Sequence, residues 1–270
     1  MASLNDFLAS VQLPTMPQVA HELIHSLNDE DVPLARIRDA VCQDPTLALK
    51  LMRLANSARY GLQRQVGTVD EAIAIVGANQ VRTLVLASCL SDNFPTLPGL
   101  DQNAFWAESQ MCGGYAQWLA QHMGSDSDQA WLTGFMVRLG ELIVGQAAPQ
   151  FLPDIERLPS YPGARWQREM AALGFTEGQV IAELARRWNF PEAIVRALET
   201  AADPLAAKPF SRLGAILYMA ELLAESGTTV SQELIDELPP ELLMALQVDS
   251  NWLAAHLPEA QAHAGHSLIH

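Results

Sequence analysis

Residues 44–61 read Asp-Pro-Thr-Leu-Ala-Leu-Lys-Leu-Met-Arg-Leu-Ala-Asn-Ser-Ala-Arg-Tyr-Gly. Asp44 is a residue type that caps helix N-termini, and a proline at the next position fits the first helical turn. The apolar residues that recur every three or four positions are Leu47, Leu51, Leu54 and Ala58. That spacing places them on one face, so the stretch predicts an amphipathic helix with one buried side.

Similar start signals recur along the rest of the chain. They are first-turn prolines and capping boxes, and they occur at Pro17, Thr68 with Glu71, Thr176 with Gln179, and Pro191. No segment alternates apolar and polar residues as a strand does, and the chain has no Asn-Gly or Asp-Gly hairpin signal. We therefore predict an all-α fold of roughly a dozen short helices.

Three apolar patterns predict single helices over residues 81–90, 104–123 and 129–146. Gly113 and Gly114 lie inside the second of these, where each glycine costs roughly 1 kcal/mol relative to alanine. We expect the close approach of a neighbouring helix to compensate for this cost, with a kink or the floor of a pocket as the alternatives.

Two stretches with few helical signals, residues 92–99 and 203–209, divide the chain. They predict an N-terminal helical lobe over residues 1–95 and a second helical lobe over residues 96–205. A helical extension with a flexible tail is expected over residues 206–270. No period of 30–45 residues repeats, which disfavours a helical solenoid.

The helical pattern of the extension is clear at its beginning and weak at its end. It predicts one amphipathic helix over residues 211–226 and two short helices near 239–246 and 251–256. Residues 260–270 are polar and contain histidines, so this tail is expected to be frayed.

The charge balance restricts the partners that the chain can bind. Its formal net charge is −15, with a sequence pI near 4.7. A protein this acidic repels the phosphate backbone, whose neutralisation supplies most non-specific nucleic-acid affinity, and it also repels anionic membranes. We therefore expect no nucleic-acid or membrane partner.

The three cysteines are Cys42, Cys89 and Cys112, and no two of them form a C-x-x-C pair. Each lies in an apolar helical pattern, so we expect buried, reduced thiols. The N-terminus lacks the basic and apolar regions of a signal peptide, and no uncharged apolar run reaches the roughly 18 residues of a spanning helix. These features predict a cytoplasmic protein.

Several blocks, in order and at matching spacing over about residues 10–205, resemble a known family, the HDOD domain. The blocks are Leu13-Pro14-Thr15-Met16-Pro17, Asp44-Pro45, Leu54-Ala55-Asn56-Ser57-Ala58-Arg59-Tyr60-Gly61, Thr68-Val69-Asp70-Glu71-Ala72-Ile73 and Trp188-Asn189-Phe190-Pro191. The resemblance implies a bacterial, all-helical regulatory protein whose second half is related to HD metal phosphohydrolases.

The same resemblance identifies the positions where such a hydrolase holds its metal. An HD hydrolase carries a histidine on one helix, a His-Asp pair on the next and a later aspartate. In this chain Glu108 stands at the first position, Val137 and Arg138 replace the His-Asp pair, and Glu141 replaces a lysine that often follows. Valine cannot ligate a metal and arginine repels one, so we predict a degenerate site with no metal, no cofactor and no catalysis.

The histidines offer one other metal-binding pattern. His21-Glu22-Leu23-Ile24-His25 matches the zincin motif literally, but the third ligand and downstream glycine of that motif are absent. His21 and His25 are therefore expected to be ordinary histidines at the solvent edge.

A polar stripe around the Asn-Ser pair is the candidate binding site. Arg53, Asn56, Ser57 and Tyr60 share one face of a continuous helix, and Arg59 and Arg64 add positive charge nearby. Two interpretations are open. The polar side chains could satisfy backbone groups where the helix ends, or the face could contact a partner or an anionic ligand, for which arginine is well suited.

The leading functional prediction is a non-catalytic signal-transduction module that binds another signalling protein, an interaction that a small ligand could gate. The resemblance suggests a member of a cyclic-dinucleotide or two-component pathway as the partner. The alternatives are a cryptic metal-dependent phosphohydrolase or nucleotide-binding enzyme, and a purely structural helical scaffold.

Overall fold

Helices make up the regular structure of the chain, which confirms the predicted all-α fold. The computed structural model describes residues 3–25, 27, 34–57, 60–62, 64–94, 96–157, 161–227 and 232–265, and no strand forms among them. The helices are α1 (Leu4–Ala9), α2 (Gln18–His25), α3 (Leu34–Gln43), α4 (Pro45–Ala55), α5 (Val69–Val76), α6 (Ala78–Asn93), α7 (Gln102–His122), α8 (Ser127–Met136), α9 (Leu139–Ala147), α10 (Leu152–Ile155), α11 (Ala164–Ala172), α12 (Glu177–Arg187), α13 (Glu192–Glu199), α14 (Arg212–Glu225), α15 (Gln232–Asp236), α16 (Pro240–Leu246) and α17 (Ser250–Ala264).

The described helices outnumber the dozen that the sequence predicts. Some of the additional ones, such as α1 and α10, have only six and four residues. Such lengths cover less than two turns, so their apolar residues cannot show a helical period.

The N-terminal caps form largely as predicted. The Asp44 side chain accepts hydrogen bonds from the backbone N–H groups of Thr46 and Leu47, and α4 begins at Pro45. Thr68 caps α5 by accepting from the Glu71 N–H. The carboxylate of Glu71 does not complete the predicted capping box, because it accepts from the Gly67 N–H and from Arg64 instead. The second predicted box, Thr176 with Gln179, forms in full.

The predicted helix over residues 129–146 is wrong, because the chain turns at Val137 and Arg138 between α8 and α9. The turn brings α9 against α12 so closely that a Cβ atom on Gly140 would lie 2.1 Å from the Glu177 carbonyl oxygen. Since residues 140 and 177 are distant in sequence, the local pattern gave no sign of this contact.

The C-terminal prediction is also corrected. Helix α17 continues to Ala264, well past residue 256, with Pro258 inside it. Leu257, Ala260 and Ala264 are buried, and this packing stabilises the segment that we expected to be frayed. His266–His270 lie outside the described residues.

Two helix crossings on α7 explain the glycine pair there and confirm the predicted close approach. A Cβ atom on Gly113 would lie 2.9 Å from the backbone oxygen of Trp131 on α8, and one on Gly114 would lie 2.5 Å from the Cα of Ala264 on α17. Helix α7 therefore packs with its backbone almost in contact with two neighbouring helices, at the centre of the apolar core.

The cysteines differ from the prediction in one position. Cys112 is buried and Cys89 is half-buried, but Cys42 is exposed on the outer side of α3, and all three are free thiols. The prediction for Cys42 is therefore wrong. Among the helices described, none alone is both long and apolar enough to cross a bilayer.

Candidate functional site

The structure brings together three of the four degenerate HD positions. Glu108 lies on α7, Arg138 in the turn after α8, and Glu141 in the first turn of α9. Arg138 forms ion pairs with both glutamates. Val137 does not take part, because its side chain is fully buried in the apolar core. The arrangement follows from the turn between α8 and α9, which directs Arg138 toward α7.

Arg138 is held in place on several sides. Its side chain is buried, with Nη1 donating to Glu108 and Nη2 donating to Glu141 Oε2 at 2.9 Å. Its guanidinium also lies over the ring of Phe105, with 5.4 Å from Cζ to the ring centroid. A buried guanidinium needs such partners because its desolvation is otherwise too costly.

A second buried arginine, Arg165 on α11, lies beside the first. Its Nε and Nη2 donate to the two oxygens of Glu177 at 3.1 and 2.9 Å, a bidentate pair. Nη2 also lies 2.9 Å from Glu141 Oε2, so this one oxygen bridges the two arginines. The remaining carboxylates that contact Arg165 are those of Glu156 and Glu169.

We call this group the ion-pair cluster. It consists of Glu108, Arg138, Glu141, Glu156, Arg165, Glu169, Glu177 and Glu221. The members lie on α7, α9, α11, α12 and α14, in the turn before α9 and at the end of α10, so the cluster joins these helices around the predicted degenerate HD positions.

Carboxyl groups outnumber guanidinium groups in the cluster, and their pKa values move in opposite directions. Burial opposes the ionisation of Glu141, but Arg165 and Arg138 hold its pKa below the ordinary value. Burial raises the pKa of Glu177 to about 6 and raises the pKa values of Glu169 and Glu221 well above the ordinary range. Protons therefore neutralise the carboxyl groups that the arginines do not.

Glu221 has the most extreme environment of these groups. Its side chain is fully buried on α14 and forms no ion pair with any described residue, and the group to which it hydrogen-bonds is another carboxyl group, that of Glu177. A carboxylate without a donor would be very costly in such a place, which is consistent with a neutral acid.

These residues do not suit the metal that an HD fold would hold. Val137 offers no donor atom, and the Arg138 guanidinium already engages the carboxylates of Glu108 and Glu141. No group of three or more potential ligands is arranged for a metal ion in the parts of the chain that the structure describes. His21 and His25 lie on α2, half-buried and exposed respectively.

The cluster reaches solvent through a small cleft of about 150 Å³. The residues that line it are Glu108, Arg138, Glu156, Tyr161, Arg165, Arg168 and Glu225. At its edge the Glu225 carboxylate accepts a 2.6 Å hydrogen bond from the Gly163 N–H. The lining carries equal numbers of acidic and basic side chains, so the cleft favours neither an anion nor a cation.

Arg165, Glu169, Glu177 and Glu221 were not identified from the sequence. The sequence does contain a sign that Glu221 is unusual, because this residue interrupts the apolar run Ile216–Leu223 on a helix whose other face is also apolar. A charged residue in such a place must find an internal partner or a proton. Its partners could not be identified, because they lie on other helices.

The second candidate region, which we call the α4–α5 face, comprises α4, α5 and residues 60–68 between them. Asn56 is the C-cap of α4, and its side chain is used internally. Its Nδ2 donates to the Met52 and Val66 carbonyls at 2.9 and 3.2 Å, and its Oδ1 accepts from the Val66 N–H at 2.7 Å. Asn56 therefore ties the following loop to the end of the helix.

The other predicted residues of this face are not equivalent. The Tyr60 hydroxyl donates to Gln80 Oε1 at 2.8 Å, and Arg64 pairs with Glu71 at 3.0 Å. Ser57 Oγ is buried without a partner among the described residues. Arg53 is exposed and forms no ion pair with any residue that the structure describes. Arg59 lies outside the described residues.

The predicted single stripe is therefore interrupted, because α4 ends at Ala55. Arg53 remains on the outer side of the helix, whereas Asn56 and Tyr60 form bonds toward the interior. Whether the face binds a partner stays a prediction.

A model of the HDOD domain family matches residues 13–204 of the chain. A solved "Putative phosphohydrolase" from Shewanella amazonensis SB2B has a TM-score of 0.78 and 26% sequence identity, with 98% of each chain covered. An "HDOD domain protein with unknown function" from Geobacter sulfurreducens also has a TM-score of 0.78, at 20% identity, with 97% of this chain and 96% of that chain covered. At that identity the second likeness shows the fold alone.

Among curated proteins, an "Uncharacterized protein" of Treponema pallidum (strain Nichols) is 26% identical over 191 residues. The match covers 69% of this chain and 37% of that relative. The chain thus spans little more than a third of the relative's length.

Proposed function

The chain belongs to the HDOD domain family, whose fold is related to that of the HD phosphohydrolases, and from this premise we propose that it is a non-catalytic regulatory module of bacterial signal transduction. It acts in the cytoplasm by binding another protein of a cyclic-dinucleotide or two-component pathway. The two parts of the proposal, the absence of catalysis and the binding, are supported by different regions of the molecule.

The ion-pair cluster is the observation that carries the first part. In an HD hydrolase the metal polarises the phosphoryl group and activates water. Here a buried guanidinium lies where a metal ligand is expected, and it occupies the carboxylates of both Glu108 and Glu141. Its positive charge in a poorly solvated position repels a divalent cation.

The enzymatic alternative derives some weight from the phosphohydrolase name of the Shewanella amazonensis structure. That name belongs to a protein of 26% identity, and a shared fold does not transfer an activity. The residues at the predicted degenerate HD positions argue against metal-dependent hydrolysis and so support the non-catalytic function.

The test is an assay of the purified, untagged protein with Mn²⁺, Fe²⁺, Zn²⁺ or Mg²⁺ supplied in turn. Bis(p-nitrophenyl) phosphate and cyclic dinucleotides serve as substrates, and bound metal is measured by mass spectrometry. We expect background hydrolysis and no stoichiometric metal. Hydrolysis that Arg138→Lys or Glu108→Gln abolishes would overturn the proposal, whereas hydrolysis that both variants retain indicates a contaminating enzyme.

The second part of the proposal assigns the binding to the α4–α5 face. Arg53 presents an exposed positive charge there, Arg64 is mostly exposed, and Tyr60 is half-buried in the loop between α4 and α5. Arginine and tyrosine are common at the centres of protein interfaces because they combine apolar contact with hydrogen bonding.

A complementation experiment tests this assignment. In a strain that lacks the native gene, the transcript profile is compared after complementation with wild type, Arg53→Ala or Tyr60→Phe. We expect both variants to restore the profile poorly while the purified proteins stay folded. The matched control is Arg157→Ala, which removes an exposed arginine far from this face in sequence. If Arg53→Ala and Tyr60→Phe both complemented fully, the α4–α5 face would not be the binding site.

A further inference from the structure

The positive charge of this acidic protein is concentrated in one part of the chain. Residues 34–68 contain six basic side chains and two acidic ones, a formal charge of +4. The rest of the chain therefore carries −19 to give the total of −15. This segment forms α3, α4 and the loop that leads to α5, and the three helices pack against one another.

Several of these positive charges are not neutralised within the protein. Arg36 and Arg53 are exposed and Lys50 is half-buried, and none of the three forms an ion pair with a residue that the structure describes. Arg38 and Arg64 do form pairs, with Asp39 at 2.8 Å and Glu71 at 3.0 Å. These two pairs lie at the surface, where such contacts contribute little and exchange readily.

Large apolar side chains are exposed among the charges. Leu49 is 63% exposed, and it lies four residues before Arg53 on the outer side of α4. Leu62 is 40% exposed in the loop after α4. Exposed leucines are common on protein surfaces, but here Leu62 lines one of the grooves along α5 and Leu49 lies one helical turn from the exposed Arg53.

Two grooves flank α5. One, of about 620 Å³, is lined by Leu62, Arg64, Val66, Glu71, Ala74 and Ile75. The other, of about 520 Å³, is lined by Ala35, Arg38, Asp70, Ile73, Ala74, Gly77 and Ala78. Both have apolar floors with one basic and one acidic side chain at the rim. Ala74 is exposed and lines both grooves, so they meet at this small side chain.

We propose that the α4–α5 face, with the adjoining outer side of α3, is a docking surface for an acidic amphipathic segment of a partner protein. The apolar residues of that segment lie in the grooves beside α5, and its carboxylates lie near Lys50, Arg53 and Arg36. This inference rests on the proposed function, since it names the chemistry of the protein that the module binds.

Charge complementarity selects this occupant. Residues 34–68 carry +4, and residues 34–76, which include Asp70 and Glu71 on α5, still carry +2. This positive charge attracts a short acidic chain, and such attraction mainly sets orientation and the rate of encounter. A long polyanion such as a nucleic acid would extend beyond the patch and meet the part of the protein that carries −19. The apolar grooves require a ligand with large apolar side chains, which a nucleic-acid backbone lacks.

The experiment uses the full chain and a defined probe. The probe is a fluorescein-labelled peptide of 18 residues, built from glutamate and leucine with the leucines at helical spacing. Fluorescence anisotropy at low salt measures its binding. A scrambled peptide of the same composition and a peptide with lysine in place of glutamate serve as matched controls.

Two double variants locate the binding site. Lys50→Glu with Arg53→Glu reverses the patch, whereas Arg157→Glu with Lys208→Glu makes the same change in net charge at exposed positions elsewhere. We expect the first pair to weaken binding about tenfold or more and the second pair to leave it within about twofold. Leu49→Ser should weaken binding several-fold, because it removes an apolar contact without changing charge.

The outcomes separate this inference from the proposed function. The inference would be overturned if the probe peptide did not bind, or if the scrambled or lysine peptide bound equally well. It would also be overturned if the two double variants had equal effects on binding. If Arg53→Ala still impairs complementation in that case, the binding role of the face stands with a partner of different chemistry. A wild-type dimer in sedimentation velocity that Lys50→Glu with Arg53→Glu dissociates would assign the face to a second copy and also overturn the inference.

Discussion

The protein uses arginine in two contrasting environments. Arg138 and Arg165 are buried in the ion-pair cluster and are surrounded by carboxyl groups, whereas Arg36 and Arg53 near the α4–α5 face are exposed and form no ion pair among the described residues. The first pair is neutralised inside the protein, at and beside the predicted degenerate HD positions. The second pair keeps its charge at the surface, near the face that we propose to bind a partner.

The contrast between buried and exposed arginines shows that residue type alone does not identify a functional site. A buried guanidinium must be compensated completely, so its partners are fixed by folding and it contributes to stability. An exposed guanidinium is stabilised by water and contributes almost nothing to stability, so it can be changed by selection for binding. Variants in the two regions should therefore affect different measurements.

The largest effect is expected for Arg165→Met. The substitution retains the length of the side chain but leaves Glu141, Glu177 and their neighbours without the charge that compensates them. Removing one partner of a buried pair typically costs 3–5 kcal/mol, so we expect a loss of that order in the free energy of unfolding, measured with urea.

The control for this variant is Arg53→Met on α4, which should change the free energy of unfolding by less than about 0.5 kcal/mol. The loss of unfolding free energy caused by Arg165→Met should also be greater at pH 8 than at pH 5.5. At the lower pH, protons neutralise the carboxylates that have lost their arginine partner. A loss of equal size in the two variants would contradict the contrast between the two regions.

Gly140→Ala should have the next largest effect. Its Cβ atom would meet the backbone of Glu177 at 2.1 Å, so α9 and α12 must separate and the cluster between them must be disturbed. We expect a loss of about 3 kcal/mol. The matched control is Gly67→Ala in the loop before α5, where a Cβ atom meets nothing within 4 Å and the change should be nearly neutral. Thermal unfolding of both variants measures the difference.

The pH dependence of stability should reflect the excess of carboxyl groups in the cluster. Burial raises the pKa of Glu177 to about 6, above its value in the unfolded chain. The folded state therefore binds this proton more tightly, and the contribution is fully present below about pH 4.5 and is lost as the pH rises through 6. We expect the free energy of unfolding of the wild type to decrease by roughly 1–2 kcal/mol between pH 5 and 7.5 from this group.

Glu177→Gln isolates that contribution, since it removes the titrating group while keeping a similar shape. The difference between wild type and variant should change with pH over this window. Parallel pH curves for wild type and Glu177→Gln would show that the carboxyl group does not titrate in this range.

Much of the fold could be predicted from the sequence because its determinants are local. The cap at Asp44, the capping box at Thr176 and the buried leucines of α4 are each set by residues close in sequence, and all three form as expected, whereas Ala58, the last member of the predicted stripe, lies outside the described residues. The turn at Val137 and the extension of α17 past Pro258 were not predicted. Contacts with distant helices determine both, and a local pattern cannot contain them.

In the candidate sites, too, some contacts could be predicted from the sequence and others could not. The resemblance correctly brought Glu108, Arg138 and Glu141 together, because a family pattern contains information about distant contacts. The residues missed in the cluster, such as Arg165 and Glu177, have no neighbours in sequence that reveal their partners. For the α4–α5 face, the spacing placed Arg53 and Asn56 on one stripe but could not show that α4 ends between them.

The smallest effect is expected within the α4–α5 face, where Asn56 differs from its neighbour Arg53. Asn56→Ala removes three hydrogen bonds, of which two hold Val66 and one goes to the Met52 carbonyl, and because water can replace part of them we expect a loss of about 1 kcal/mol in the free energy of unfolding. The Val66 amide should also exchange faster with deuterium, since its bond to Oδ1 is lost. Asn56→Asp keeps that acceptor and loses only the donors, so it should protect the amide and fall between wild type and Asn56→Ala in stability. If both Asn56 variants keep wild-type stability and amide exchange, then Asn56 does not hold the loop, and it joins Arg53 as a residue available to a partner.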